Sequence, residues 1–555
     1  MEPSKINSIS QINKEFEERD AQEKAQKWDF PYIDISGFPI NPDVLRGLSQ
    51  EGIIQAHALP FFRNKKRLKI AVVNPVNRET QNFLDTLKDL FEIEVYICSD
   101  YGLKKAYRIF ESEVLNKKTV EKNKKFDEVK KLDFSEEILA FEKLEKLIEE
   151  LPTERALNEI EIFAIKTRAS DIHIQPSEEG ILLRFRIDGI LKDICKISYD
   201  TAESLVARIK YESGMKSNIK DIPQDGHLDF QANDRKIDLR VSSLPTETLE
   251  SIVMRVLDSR KGLLSFKELG FDEKIQKKIR KSITKKNGMV LVTGPTGSGK
   301  TTTLYAMLKD INIPEKKIVT LEDPIEYHLP NVTQSQVNEK REYNFATGLR
   351  ALLRHDPDVM LIGEIREISV AKLATEASLT GHLVFSSLHT NSSVGAVTRL
   401  RNLGIESYNI ASSINAIFAQ RLIRRTCPKC SSTKKIKAEF ESKLKNAIDR
   451  VVYFYPKLED KIKRLNENNI EIETLVPNKK GCKNCTHTGF IGQVAICEAF
   501  NFTDLIREKI SEGETESELL AHIKRTSDFL SLFEDGIRKV LEGETSIDEI
   551  HRVAG

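Results

Sequence analysis

The sequence predicts an α/β protein in which a small α/β module and an α+β module precede a larger C-terminal α/β domain. Three observations carry this. An apolar run, Met289 to Val292, leads into Gly294-Pro295-Thr296-Gly297-Ser298-Gly299-Lys300-Thr301, and Leu304, Ala306, Met307 and Leu308 then follow as the apolar face of a helix. Apolar and polar residues alternate over 169–174 and 181–187, and Asp188-Gly189 supplies a hairpin turn. The 555 residues leave room for roughly three to four domains.

Taken in order, residues 1–28 are charged without a core pattern and read as a polar tail or a loosely held helix. From 29 to 115 the texture is that of a small α/β module. Pro42-Asp43-Val44-Leu45 opens a helix, Leu68 to Val73 makes a strand ended by Asn74-Pro75, and Ile93 to Ile97 makes another. Phe83, Leu84, Leu87 and Leu90 have helical spacing between those strands. Residues 116–133 alternate lysines and acids and read as a solvated linker, with a helix as the alternative. The α+β module runs from 134 to 260, with an apolar stripe at Leu157, Ile160 and Ala164 and later strands at Lys236 to Val241 and Ser251 to Val256. Its strands carry Arg184, Arg186, Arg240 and Arg255, which by default are solvated residues of a sheet face. The nucleotide domain is expected over 268–555.

Net charge is +1, hydrophobic residues are 39% and charged residues 31%, ordinary for a globular chain with no global field for nucleic acid or an anionic membrane. No basic stripe with interleaved aromatics appears, so no nucleic-acid partner is expected. No apolar run approaches a spanning helix, and the N-terminus lacks the apolar core of a signal peptide. A cytoplasmic location is expected, with membrane contact through protein partners.

The glycines let the loop at 294–299 bend and let backbone N–H groups approach phosphate oxygens, while the following helix N-terminus adds partial positive charge. Lys300 is placed to reach the β- and γ-phosphates, and Thr301, followed by Thr302, to offer its hydroxyl to Mg²⁺. Hydrolysis needs more than binding. Glu322, Asp323 and Glu326 follow one apolar strand, Glu364 closes Met360-Leu361-Ile362-Gly363, and His382 and His389 flank Leu383 to Leu388. In a parallel sheet the strand C-termini gather on the ligand side, which suits a carboxylate that orients or deprotonates water. Arg350 and Arg354, at i and i+4, form either a solvated helix face or cations that neutralise phosphoryl charge.

Together these stretches resemble the bacterial type II secretion and type IV pilus assembly ATPases. The resemblance rests on Gly294 to Tyr305, Leu321-Glu322-Asp323-Pro324-Ile325-Glu326, Leu353 to Arg366 and Thr380 to Asn391, in order and with the family's spacing. It extends to Ala169 to Ile174, Arg184 to Gly189, Pro223 to Gly226, Asp238 to Thr246 and Met254 to Asp258, covering about 134–500 strongly and 29–115 weakly. It implies a RecA-like ATPase domain behind a PAS-like α+β domain, with an N-domain-like module first. It also implies a cytosolic homohexamer that binds ATP and Mg²⁺ between two domains. The motor would power pilus assembly, or pseudopilus assembly in type II secretion, through an inner-membrane platform protein and without inserting in the membrane. A motor for DNA uptake is the alternative. By the same resemblance Glu364 activates water, Glu322, Asp323 and Glu326 assist metal and water, and His382 and His389 are the family's paired histidines. Arg240, Arg255, Arg350, Arg354 and Arg366 are its arginines. Two departures stand out: Leu249-Glu250-Ser251 lacks the family's basic residue, and Ser392 stands where the family has aspartate.

Cys427-Pro428-Lys429-Cys430 and Cys482-Lys483-Asn484-Cys485 offer four thiolates for a closed Zn²⁺ site, or else free or redox thiols. The resemblance favours structural zinc, because assembly-type members carry two such pairs. The metal would pin a lysine-rich insert within 427–485 to the ATPase core, either a docking surface or a solvated helical hairpin. Cys98, Cys195 and Cys497 read as packing residues.

Overall fold

The computed structural model describes the chain except for residues 1–2, 37–43, 45–49, 65–66, 89–90, 107–140, 233–234, 259–263, 440–441 and 467–468. The expected linker and most of the helix opening at Pro42 lie outside the described residues. Two compact units are present, Met1–Val256 and Leu257–Gly555.

In the first unit the charged N-terminal stretch is a helix, α1 (Pro3–Trp28), and it is held rather than trailing. Ala21 and Ala25 are buried, Ser99 donates its hydroxyl to Glu18 at 2.6 Å, and the Tyr101 N–H donates to Glu17 at 2.8 Å. Its acids are therefore anchors for the module behind it. That module has β1 (Ala58–Asn64) antiparallel to β2 (Arg67–Val72), and β3 (Glu92–Ile97) parallel to β2. Phe83, Leu84 and Leu87 pack against Leu68 and Ile70 of that sheet, as their spacing requires.

The α+β module is a six-stranded sheet of β4 (Ala169–Ser177), β5 (Gly180–Ile187), β6 (Ile190–Ile197), β7 (Gln224–Ala232), β8 (Arg235–Leu244) and β9 (Ser251–Asp258), in the order β6-β5-β4-β9-β8-β7. The β5–β6 turn places Asp188 and Gly189 at φ 48° and 83°, the left-handed pair that a two-residue hairpin demands. One sheet face buries Ile172, Leu183 and Phe185 under helices that include α2 (Thr153–Lys166) and α3 (Tyr199–Glu212). The alternate residues carry the polar face, where Asp171 bridges Arg186 at 3.3 Å and Arg255 at 3.1 Å. Glu250, one of the residues at the departure from the family pattern, forms a buried ion pair with Lys210 of α3 at 2.7 Å. The Ile219 carbonyl takes a second Lys210 proton at 2.6 Å. A buried pair with its remaining donor satisfied fixes the turn into β9 rather than greatly stabilising the fold.

The second unit is built on β10 (Gly288–Thr293), which is buried along its whole length. Around it lie β11 (Ile318–Glu322), β12 (Thr333–Gln336), β13 (Val359–Ile362), β14 (Leu383–Leu388) and β15 (Ile414–Thr426). Next come the insert strands β16 (Ser432–Glu439), β17 (Ile462–Asn466) and β18 (Asn469–Val476), and the return strand β19 (Phe490–Asn501). The main sheet runs β12-β11-β13-β14-β10-β15-β19, with β10 to β15 parallel and β19 antiparallel to β15. Helices cover both faces, as a parallel sheet of near-continuous apolar strands requires. They include α4 (Lys300–Ile311) and α5 (Phe345–Leu352).

The lysine-rich insert is not the helical hairpin considered as an alternative. Its described residues include an antiparallel sheet, β16-β18-β17, and an α-helix, α6 (Ser442–Phe454). Opposite charges pair on and beside its strands, Lys435 with Glu471 at 3.6 Å and Lys461 with Glu473 at 3.5 Å, as cross-strand neighbours do. The last helix, α7 (Ile547–Ala554), is tied to β15 through Glu549, which takes hydrogen bonds from Arg424 and Arg552.

Candidate active site

Strand register gathers the site. Thr293 of β10 pairs with Leu388 of β14, and Ile362 of β13 with Ser386 of β14. Gly294 and His389 follow β10 and β14 directly and Glu364 comes two residues after β13, so all emerge at the same sheet edge. The loop bends through Gly294, Gly297 and Gly299 at φ 148°, 78° and 83°. A Cβ on Gly294 would lie 2.5 Å from the Gln420 carbonyl oxygen, which leaves no room for another residue. Pro295, Thr296 and Gly297 are exposed, while Ser298 is buried.

Lys300 Nζ folds back onto the carbonyls of Gly294 at 2.9 Å and Pro295 at 3.1 Å. Burial lowers its pKa, and the nearby Glu364 charge works the other way. The first turn of α4 directs its N–H groups into the loop, and the partly exposed Thr301 and Thr302 sit on that turn. The Ser298 hydroxyl is a buried polar group with no protein partner. A lysine resting on weak neutral acceptors, a spare hydroxyl and a row of helix N–H groups fit a polyphosphate.

Glu364 is held by two cations or proton donors. Arg366 Nη2 lies 2.6 Å from Oε1, and His389 Nε2 lies 3.1 Å from Oε2. The bond to Glu364 raises the Arg366 pKa, so that guanidinium stays charged. Glu364 itself is largely shielded, at 13% side-chain exposure, which keeps a carboxylate in place at the loop while leaving it reachable by water.

The other carboxylates divide. Glu322 is buried beneath the loop helix and takes hydrogen bonds from the Tyr305 hydroxyl, from Thr320 at 2.6 Å and from Gln334 at 3.1 Å. Burial and the Glu322 charge both push the Tyr305 hydroxyl pKa up, so it remains a donor. Glu322 thus supports α4 from below, and its oxygens are spent on protein partners. Asp323 is exposed and Glu326 half-buried on the segment that follows.

The structure does not bring His382 to this edge. It precedes β14, where its carbonyl accepts the Gly288 N–H at the start of β10, and its Nδ1 meets the Ala377 carbonyl at 3.1 Å. His389 lies at the other end of β14, ~20 Å away along six residues of strand. Arg350 is exposed on α5, and Arg354, just beyond its end, donates to the Arg350 carbonyl at 2.9 Å, so it caps the helix. Arg240 and Arg255 belong to the first unit, on β8 and β9.

Three residues in contact with these groups were not singled out from the sequence. Gln420 accepts from Thr303 at 2.8 Å and donates to the Ser298 carbonyl at 2.7 Å. Glu498, buried on β19, takes hydrogen bonds from both the N–H and hydroxyl of Ser393, in the loop after His389. Glu516 accepts from Ser392 at 3.0 Å. That contact gives a reason for the serine: aspartate there would face a second carboxylate.

The four cysteines of the two pairs come together in the insert. Their sulfurs lie 3.9 Å apart for Cys427 and Cys482, and 3.8 Å both for Cys430 and Cys485 and for Cys482 and Cys485. Four thiolates tetrahedral about Zn²⁺ would stand ~3.8 Å apart, so the donor set fits that ion. Burial opposes ionisation of Cys485, but N–H groups of Cys482 and Gly489 aimed at its sulfur bring its pKa down to about 6. Cys98, Cys195 and Cys497 are buried in their cores.

A family model described as Type II/IV secretion system protein matches residues 146–552, and an MshEN domain model matches residues 28–112. The chain is 41% identical over 405 residues to the Type II secretion system protein E of Pseudomonas aeruginosa, covering 73% of this chain and 76% of that protein. It is 39% identical over 423 residues to the Type II secretion system ATPase E of Vibrio cholerae, covering 76% and 78%. It is 33% identical over 529 residues to the Type IV pilus assembly ATPase PilB of Myxococcus xanthus, covering 95% and 89%. Among solved structures, the ATPase DotB of Legionella pneumophila shares the fold, with a TM-score of 0.52 at 20% identity over 71% of this chain and 94% of that chain.

Proposed function

The chain belongs to the type II/IV secretion system protein family and is an ATPase of that family, and from this we propose that it is a homohexameric motor acting on an inner-membrane platform protein. The motor would drive type IV pilus assembly or pseudopilus assembly in type II secretion. The pilus reading draws support from the pilus assembly relative, whose match runs over 95% of this chain, the first module included. Among the described residues no helix is long and apolar enough to cross a membrane, consistent with contact through a partner.

The observation that carries the chemistry is the meeting of Lys300, Glu364 and His389 at one sheet edge. ATP would occupy the loop 294–299, with Lys300 exchanging the loop carbonyls for phosphate oxygens. Thr301 would hold Mg²⁺, which supplies charge neutralisation and phosphate orientation when bound. Glu364 would orient the attacking water and accept its proton, with His389 and Arg366 fixing its two oxygens. Glu322 would act by positioning α4, and Asp323 and Glu326 are proposed to assist metal and water. Arg240, Arg255, Arg350 and Arg354 are proposed to add positive charge to the phosphates, within a subunit or across an interface. Cys427, Cys430, Cys482 and Cys485 would hold a structural Zn²⁺ with no open position.

The test is Glu364→Gln. It should retain ATP binding and lose turnover by about a hundredfold or more, as expected for removal of a general base. Hydrolysis at the parental rate would overturn the assignment.

A further inference from the structure

Gln420 sits one residue past the last pairing of β15 with β10, where Thr293 faces Ala419, and its side chain is 1% exposed. This places a buried amide beside the mouth of the phosphate loop. Its carbonyl oxygen accepts the Thr303 hydroxyl at 2.8 Å, and its nitrogen donates to the Ser298 carbonyl at 2.7 Å. The Ser298 carbonyl can only accept. A flipped amide would set two acceptors against each other, so the orientation is fixed.

In a trans peptide the C=O and the following N–H point to opposite sides. Anchoring the Ser298 carbonyl toward β15 therefore turns the Gly299 N–H away from β15, toward the inside of the loop. Gly299 has φ 83°, which favours glycine, and a Cβ there would crowd Gln420 Nε2 at 3.2 Å. Thr303 is buried on the inner face of α4, so the same amide also ties the first turn of that helix to the sheet.

The geometry points to Gln420 as a positioning residue for the nucleotide phosphates: its amide holds the Ser298–Gly299 peptide with the N–H presented to the ligand. This rests on the reading of 294–299 as the ATP site. It differs from the action of Lys300, because Gln420 touches no phosphate and works only through the loop.

The experiment measures ADP affinity and steady-state ATP hydrolysis in the full-length protein, comparing wild type with Lys300→Ala, Gln420→Glu and Thr303→Val. Gln420→Glu keeps the shape but puts a carboxylate oxygen against the Ser298 carbonyl. It should weaken ADP binding and raise KM for ATP by about tenfold, with kcat changed by about threefold or less. Thr303→Val frees the other end of the amide and should shift KM in the same direction by a smaller factor. A purely structural role would instead lower the melting temperature of the nucleotide-free protein and leave KM unchanged, and that result overturns the inference. If Gln420→Glu does not fold, Thr303→Val decides, and a parental KM there counts against the proposal. Loss of binding in Lys300→Ala with parental KM in both other variants would sink the Gln420 role alone. Unchanged binding in Lys300→Ala would overturn the loop assignment itself.

Discussion

His382 and His389 show what a single residue's place in a strand decides. Both belong to one motif, and residue type alone treats them alike. Only strand direction separates them: His389 leaves β14 at the edge where Glu364 waits, and His382 enters at the other. His389→Ala should therefore lower kcat by tenfold or more, because Glu364 loses one of its two holders. His382→Ala should stay within about twofold of the parental rate within each subunit's own site. Equal losses in the two variants, measured by phosphate release, would contradict the division. Lys300→Ala should abolish turnover and weaken ATP binding, since it removes the cation proposed for the β- and γ-phosphates. Glu322 teaches the same lesson in burial. Its motif suggests a metal-side carboxylate, but the partners that occupy it, Tyr305 and Gln334, are distant in sequence and come close only through packing.

Among elements, those with a strong local period were legible and those defined by distant pairing were not. The strand, loop and helix at 288–311 follow from an apolar run, glycines and a helical stripe. The hairpin at Asp188-Gly189 follows from turn chemistry. The insert is different: its lysines alternate with Ile436 and Ala438 as strand residues, but nothing local says that Glu471 lies across from Lys437 and diagonal to Lys435. The cysteine pairs were legible as a site by spacing, and their closeness is what the fold adds. Cys427→Ser with Cys430→Ser should reduce bound zinc from about one per chain to about zero and lower the melting temperature of the insert, as expected where metal binding is coupled to folding. Wild-type protein without zinc by metal analysis would refute the assignment. The last helix gives a pH prediction. Burial opposes the Glu549 charge, but bonds from Arg552 and Arg424 outweigh it and hold its pKa at about 2, below the ordinary 4.5. The unfolded chain then takes up the proton first. The stabilisation is complete above about pH 4.5 and fades as pH falls toward 2. Glu549→Gln should cost on the order of 3 kcal/mol at neutral pH and flatten that acid limb, read by denaturant unfolding.

For the whole molecule, the sequence carried the order of modules more fully than their internal tethers. The first 28 residues lack an apolar stripe because α1 is held by acids such as Glu17 and Glu18 as well as by small buried alanines, and such contacts leave no period to read. Assembly is testable directly. Light scattering on the purified protein with a nucleotide analogue should give about six times the 63.2 kDa chain mass. A monomer under those conditions would remove the hexamer from the proposal.

One tether reaches further than its bond lengths suggest. β19 starts five residues after Cys485, runs beside β15, and carries Glu498, which takes hydrogen bonds from the N–H and hydroxyl of Ser393, four residues past His389. An extended strand has almost no slack to take up. The cysteine knuckle and the loop after His389 thus hang from one strand, and a displacement of the insert along β19 would be felt beside the proposed site.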